Sequence, residues 1–200
     1  MLEKPALVAT PIHELLATRW SPRAFDVSRS VSRSQILALI EAARWAPSCF
    51  GEEPWRFLVL DKTQDQASWQ KALACLAEAN QAWAKNASVL VLAAAEPKFS
   101  QSGKDDRWYQ YDTGAAALSL CLQAIALGLE AHQMGGFDAE QLRKVFDIPQ
   151  TIALMAVIAV GYQAEPDVLE ESTRQRELAP RTRRDLATRF YEGAWGRAIV

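Results

Sequence analysis

The sequence predicts an α+β fold, with a central sheet flanked by helices. Two observations carry this. Three short apolar runs, around 55–60, 88–94 and 152–162, have the composition of strands, and the stretches between them place apolar residues at three- and four-residue spacing. A third observation treats the chain as one unit: no repeat or linker breaks its 200 residues, half of which are apolar, enough for one core without staples. We therefore expect a single domain over residues 1–200.

Bulk properties exclude several classes. A net charge of -2 argues against nucleic-acid binding, and no nucleic-acid partner is expected. Three cysteines, Cys49, Cys75 and Cys121, are an odd number without C-x-x-C spacing, and with two histidines they make neither a disulfide framework nor a zinc site. Residues 1–16 lack the basic start and continuous apolar core of a signal peptide. The apolar run 115–127 is interrupted by Ser119 and Gln123 and falls short of the ~20 residues that span a bilayer. A soluble cytoplasmic protein with no membrane partner is expected.

Along the chain, Pro11 opens a short helical pattern with Ile12, Leu15 and Leu16, which runs into Arg19-Trp20-Ser21-Pro22-Arg23. Two guanidinium forks four residues apart, with a hydroxyl between them, suit a phosphate or a polyol; an arginine pair alone is more commonly a solvated helix end. Ser32 and Gln35 have the form of a capping box ahead of Ile36, Leu37, Ile40 and Ala43, and Pro47 ends that helix. Pro47 and Pro54 then bracket six residues in a loop with few conformations to lose. Such a loop suits a binding site as well as it suits an ordinary connection into the strand at Trp55.

Residues 64–83 read as one long helix with Trp69, Leu73, Leu76, Ala79 and Trp83 at apolar positions, and Asn80 fits a C-terminal cap or a surface site. The run 88–94 does not alternate, so both its faces are expected to be covered. Residues 98–111 form a polar, then aromatic, loop whose length fits either disorder or a substrate-facing lid, with aromatics that shape a pocket mouth or simply cover the core. The helix 113–128 has Thr113 to cap it, Gly128 to end it and an apolar interior almost all round, which places it centrally. In the stretch LEAHQMGGF, 129–137, Gly135 and Gly136 let the backbone approach a ligand with its N–H groups; a turn before a helix opened by Asp138 is the commoner use. Residues 166–180 read as a surface connection, and the basic cluster Arg181, Arg183 and Arg184 follows.

The string Ala46-Pro47-Ser48-Cys49-Phe50-Gly51-Glu52-Glu53-Pro54-Trp55, with Phe57, resembles the signature of the nitroreductase family of flavin enzymes, close to A-P-S-S-x-N-x-Q-P-W-x-F. Three more motifs follow the family's order: Arg19-x-Ser21-x-Arg23-x-Phe25, Gly135-Gly136-Phe137, and Arg183-Arg184 where the family commonly reads R-K-P-L. The resemblance implies a nitroreductase-like α+β fold with a central mixed sheet, in an intertwined homodimer with one FMN per subunit at the interface. It implies that Arg19 and Ser21 hold the FMN phosphate and ribityl chain, that Trp20 contributes backbone only, and that Arg23 lies nearer the ring. It places Pro47, Ser48, Cys49 and Glu53 against the isoalloxazine of the other subunit, and Asn80 at the pyrimidine or ribityl end. It directs the backbone of Met134, Gly135 and Gly136 at N5 and O4, and closes Arg183 and Arg184 over the phosphate. The chain departs from the pattern at Gly51, where Asn is usual, Glu53, where Gln is usual, Trp83, where some relatives carry Lys, and Asp185, where Pro is usual.

The expected activity is reduction of a small nitro, quinone or related oxidised compound with electrons from NADH or NADPH, by a ping-pong scheme. The flavin does the chemistry, so no side chain is expected to be catalytic, and Glu53 is a possible modulator of the flavin. Cys49 has no base or resolving partner in sequence, which favours packing over a redox thiol. Two other readings stand beside this one: a flavin store or sensor without nicotinamide turnover, and an FMN-dependent dehydrogenase or oxidase of a dedicated substrate.

Overall fold

The computed structural model describes residues 2–200. A short helix, α1 (Glu14–Thr18), precedes α2 (Arg33–Arg44), whose start follows directly from its sequence. The Ser32 hydroxyl accepts from the Gln35 N–H and the Gln35 side-chain oxygen accepts from the Ser32 N–H, so the capping box is closed. A single 3₁₀ turn, Cys49–Gly51, leads to strand β1 (Trp55–Asp61).

Strands β2 (Val89–Ala95), β3 (Glu130–Met134) and β4 (Ala153–Gly161) complete the sheet in the order β1-β2-β4-β3. Every pairing is antiparallel, which corrects the expected mixed sheet. The connection from β2 to β3 runs through helix α5 (Tyr109–Ala126) and leaves those two strands pointing the same way; β4 then inserts between them and makes both contacts antiparallel. β3 was not expected as a strand. It lies at the sheet edge and reads EAHQM, so it lacks the apolar run that marks the others.

β2 is buried along its whole length because its two faces enter two cores. Leu90 and Leu92 pack with Trp69, Trp83 and Leu142, whereas Val89 and Val91 pack with Ile36, Leu39, Leu120 and Ile158. At about 1.5–3 kcal/mol for each fully buried aliphatic side chain, the four residues Val89 to Leu92 anchor the sheet to both cores.

Three other expectations are corrected. Residues 64–83 form two helices, α3 (Gln66–Ala74) and α4 (Glu78–Ala84). The break at 75–77 is held by the glycine turn: the Ala77 N–H donates to the Gly136 carbonyl at 2.9 Å and the Asp138 N–H donates to the Cys75 carbonyl at 2.7 Å. The apolar period runs through the break, so the sequence hides it. Helix α5 starts at Tyr109, four residues before Thr113, which is buried inside it, and its face at Tyr111, Gly114 and Leu118 is exposed. The region 166–180 contains, after helix α6 (Ala139–Phe146) and β4, a further helix, α7 (Glu171–Leu178). Polar residues make up nearly all of α7, so periodicity does not reveal it; the buried Thr173 and Glu177 pin it to the body. No described helix is long and apolar enough to cross a membrane.

Candidate functional site: an arginine loop and a glycine turn at the sheet edge

The segment after α1 is laid across the end of β4. The Ala164 N–H donates to the Ala24 carbonyl at 3.0 Å, and the Asp26 N–H donates to the Tyr162 carbonyl at 2.9 Å. The Phe25 ring fills the space above Gly161, where a Cβ would stand 2.9 Å from it, and stacks on Trp83 at 6.2 Å. Trp83 is therefore a core residue.

Within this segment Arg19 Nη1 donates to the Trp20 carbonyl at 3.0 Å and to Ser21 Oγ at 3.4 Å, so the Arg19 guanidinium and the Ser21 hydroxyl lie together. Trp20 is buried with the Lys4 ammonium 4.7 Å from its ring centroid, which leaves only its backbone for a ligand. His132 on β3 holds the segment from below. Its Nδ1 lies 2.9 Å from the Pro22 carbonyl and its ring 4.5 Å from Trp83. Burial lowers its pKa to about 4, so the imidazole is neutral, and because a carbonyl only accepts, Nδ1 carries the proton.

Arg23 is not free. The buried Glu177 carboxylate accepts from the Arg23 N–H at 2.7 Å, from the Ala24 N–H at 3.1 Å and from Arg23 Nη1 at 3.4 Å. The C-terminal arginine brought to Arg19 is Arg181. It donates to the Ala17 carbonyl at 3.1 Å and to the Lys4 carbonyl; burial lowers its pKa, and the Arg19 guanidinium lowers it further. Among the described residues neither Arg19 nor Arg181 makes an ion pair. Arg183 and Arg184 are exposed, with Arg183 Nη1 on its neighbour Thr182 carbonyl, and the Arg183 guanidinium also adds to the lowering of the Arg181 pKa. Their motif position was readable, but the fold of α7 sets which arginine turns inward.

The glycine turn is held by Asn80. Its Nδ2 donates to the Gly136 carbonyl at 3.0 Å from inside α4, so it caps no helix. A Cβ at Gly136 would sit 2.9 Å from that same Nδ2, whereas nothing stands within 4 Å of one at Gly135. Met134 is buried in the core and offers backbone only. Sequence reasoning missed Glu130, at the start of β3. Its Oε2 is buried without a hydrogen-bond partner, and burial raises its pKa to about 7 against the pull of Arg19, with Glu177 adding to the rise. Nothing in the sequence marks it, because β3 reads EAHQM and alternates between covered and open positions.

The loop 47–53 is a separate assembly. Ser48 Oγ accepts from the Glu53 N–H at 3.1 Å, Asp112 Oδ2 from the Cys49 N–H at 2.8 Å, and Glu52 Oε1 from the Ser100 N–H at 2.7 Å. These bonds hold Phe50, Gly51 and Glu53 at φ of 55°, 69° and 50°, left-handed values that cost the two side-chain-bearing residues of order 1–3 kcal/mol each. The buried Asp112, also missed from sequence, is the anchor. Burial raises the Cys49 pKa, and Asp106 and Asp112 add to it, so the thiol stays protonated, in keeping with a packing role. Among the described residues no hydrogen bond, ion pair or ring contact joins 47–53 to Arg19, Arg23, Asn80 or the glycine pair. A cleft of about 640 Å³ between α4 and α7 contains Glu78, Lys85, Glu170 and Arg176 and neither group of candidate residues.

The fold is therefore an antiparallel α+β sheet that carries Arg19, Ser21 and Arg181 on the segments laid against it and an open glycine turn after its edge strand. The chain belongs to the nitroreductase family, whose sequence model it matches over residues 16–162. It is 30% identical over 166 residues to an Archaeoglobus fulgidus protein provisionally named NADH dehydrogenase/NAD(P)H nitroreductase, covering 80% of this chain and 91% of that one. A crystal structure described as an oxidoreductase containing FMN superposes with a TM-score of 0.88 at 35% identity, covering 94% of each chain. A provisionally named nitroreductase of Desulfovibrio desulfuricans, solved in complex with FMN, shares the fold with a TM-score of 0.73 at 23% identity, covering 94% of this chain and 99% of that one.

Proposed function

We propose that the protein is an FMN-dependent oxidoreductase that takes electrons from NADH or NADPH and passes them, in a ping-pong scheme, to a small oxidised compound such as a nitroarene or a quinone. The observation that carries this is the gathering of Arg19 and Arg181 near Ser21, two guanidiniums that form no ion pair among the described residues and are left to a phosphate. The open space at Gly135 fits the close approach of a flat ring to the backbone. The names of the relatives and the FMN in the similar structures support the same reading.

FMN, when bound, supplies hydride and electron transfer. The residues of this chain bind and orient it. Arg19, Ser21 and Arg181 would hold the phosphate. Asn80 fixes the Gly136 carbonyl and so aims the Gly135-Gly136 N–H groups, with Met134 backbone beside them, and Arg23 supplies positive charge that Glu177 partly offsets. The loop with Pro47, Ser48, Cys49 and Glu53 would lie against the flavin of a second subunit, which explains why it stands apart from the arginines in one chain. In this homodimer the exposed Leu37, Trp45, Tyr111 and Leu118 on and beside α2 and α5 would be covered. Glu53 as a carboxylate near the ring would disfavour negative charge on reduced flavin, so Glu53→Gln is expected to raise the midpoint potential; an unchanged or lower value refutes that role.

The test is a visible absorption spectrum of the purified protein before and after anaerobic NADPH or NADH, with sedimentation to give the oligomeric state. A yellow dimer that bleaches is the expected result. A protein that takes up no added FMN refutes the assignment.

A further inference from the structure

We propose that Glu130, whose buried Oε2 has no hydrogen-bond partner, is a proton-carrying residue of the phosphate pocket: it enters the FMN-bound protein as the carboxylic acid and donates to the phosphate. This rests on the reading that Arg19 and Arg181 receive the cofactor's phosphate.

Glu130 opens β3 at the sheet edge, paired with Gly161 of β4, and its Oε2 is buried with no partner. Arg19 faces it from the segment after α1, Glu177 from α7 and Cys121 from α5. None of these satisfies it. Arg19 makes no ion pair with it, and its Nη1 is occupied by the Trp20 carbonyl and Ser21 Oγ. Glu177 is itself a carboxylate and is taken by Arg23. The Cys121 thiol is engaged by Gln133 Nε2 at 3.4 Å, and burial keeps it protonated.

A phosphate arriving between Arg19 and Arg181 occupies the cation that otherwise favours ionised Glu130, and it adds negative charge beside a buried carboxyl. Like charges in a buried site do not both ionise, so the carboxyl holds its proton and its O–H becomes a donor for a phosphate oxygen. In the free protein the group already titrates at about 7. Below that value the proton is present before FMN arrives and affinity is unaffected by this group. Above it the proton must be taken from solvent, and the dissociation constant rises about tenfold for each pH unit. Ionisation of the phosphate itself, with a second pKa near ~6, acts in the opposite direction and is largely complete before this range.

The experiment is fluorimetric titration of the full chain, freed of flavin, with FMN and with riboflavin as the phosphate-free probe, at intervals from about pH 6.5 to about pH 9. Calorimetry in two buffers of different ionisation enthalpy counts the protons on the unmutated chain, so the test does not depend on a variant folding. FMN affinity is expected to weaken about tenfold between roughly pH 7.5 and 8.5 with uptake of about one proton. Riboflavin should bind independently of pH, and Glu130→Gln should bind FMN without the pH slope. A flat FMN profile, the same slope in Glu130→Gln, or proton release with tighter binding at high pH, as an ionised Glu130 paired with Arg19 would give, overturns the proposal. FMN bound with a flat profile overturns only this inference, whereas no FMN uptake at any pH overturns the cofactor reading and this inference with it.

Discussion

Removing the Glu177 side chain should unfasten the arginine segment from the rest of the molecule. The carboxylate is fully buried, and it accepts from two backbone N–H groups and from the Arg23 guanidinium. In Glu177→Ala the Ala24 N–H is left buried and unpaired, at about 1–3 kcal/mol. Arg23 loses its counter-charge as well. Stripping one partner from a buried ion pair costs about 3–5 kcal/mol, but 27% of the Arg23 side chain is exposed and water takes up part of that loss. The sum expected is about 4 kcal/mol, which at a urea dependence of ~2–3 kcal/mol/M moves the unfolding midpoint down by about 1.3–2 M. Glu177→Gln keeps an oxygen for both backbone donors and loses only the charge, so it should cost about 1–2 kcal/mol. Urea unfolding followed by circular dichroism separates the variants. A loss below about 1 kcal/mol in Glu177→Ala, or equal losses in the two variants, would show that the acceptor geometry is not what holds the segment.

Three further outcomes are expected. His132 titrates at about 4 in the folded chain against about 6.5 when unfolded, so the unfolded state binds the extra proton between those values and stability should fall by up to about 3 kcal/mol as pH drops from 6.5 to 4. In His132→Phe that part of the slope should vanish, as unfolding midpoints across the range would record. Gly136→Ala forces its methyl group against Asn80 Nδ2 and should destabilise by about 1–3 kcal/mol, whereas Gly135→Ala meets nothing and should stay within about 0.5 kcal/mol; thermal unfolding of both checks the contrast. Asp112→Asn removes a carboxylate that helps keep the Cys49 thiol protonated, so Cys49 should react faster with a thiol reagent at pH 8, and an unchanged rate would count against the contact.

The capping box at Ser32, the non-alternating strand β2 and the four motifs were legible because each depends on residues close in sequence. The misses share a different cause. The break between α3 and α4 is imposed by the glycine turn some sixty residues away, and β3 is a strand because β4 pairs with it, not because of its own composition. Arg181, which no motif marked, is carried towards Arg19 because α7, which ends just before it, is fixed by the buried Glu177. Glu130 and Asp112 were invisible for the same reason: an isolated acid in a sequence says nothing about which donors the fold places near it.

The strand order has a consequence for synthesis. β4 is the last strand to leave the ribosome, yet it takes an inner place between β2 and β3. Until residues 153–161 are available, β3 has no neighbour to pair with, and the glycine turn and His132 that it carries have no fixed position relative to the arginine segment. A nascent chain therefore passes through a stage with most of its helices made and an unpaired strand exposed, the condition in which slow, non-local pairing competes with association between chains. Anything that recognises the finished arginine and glycine cluster binds only chains past that stage, and so draws the population towards the completed sheet.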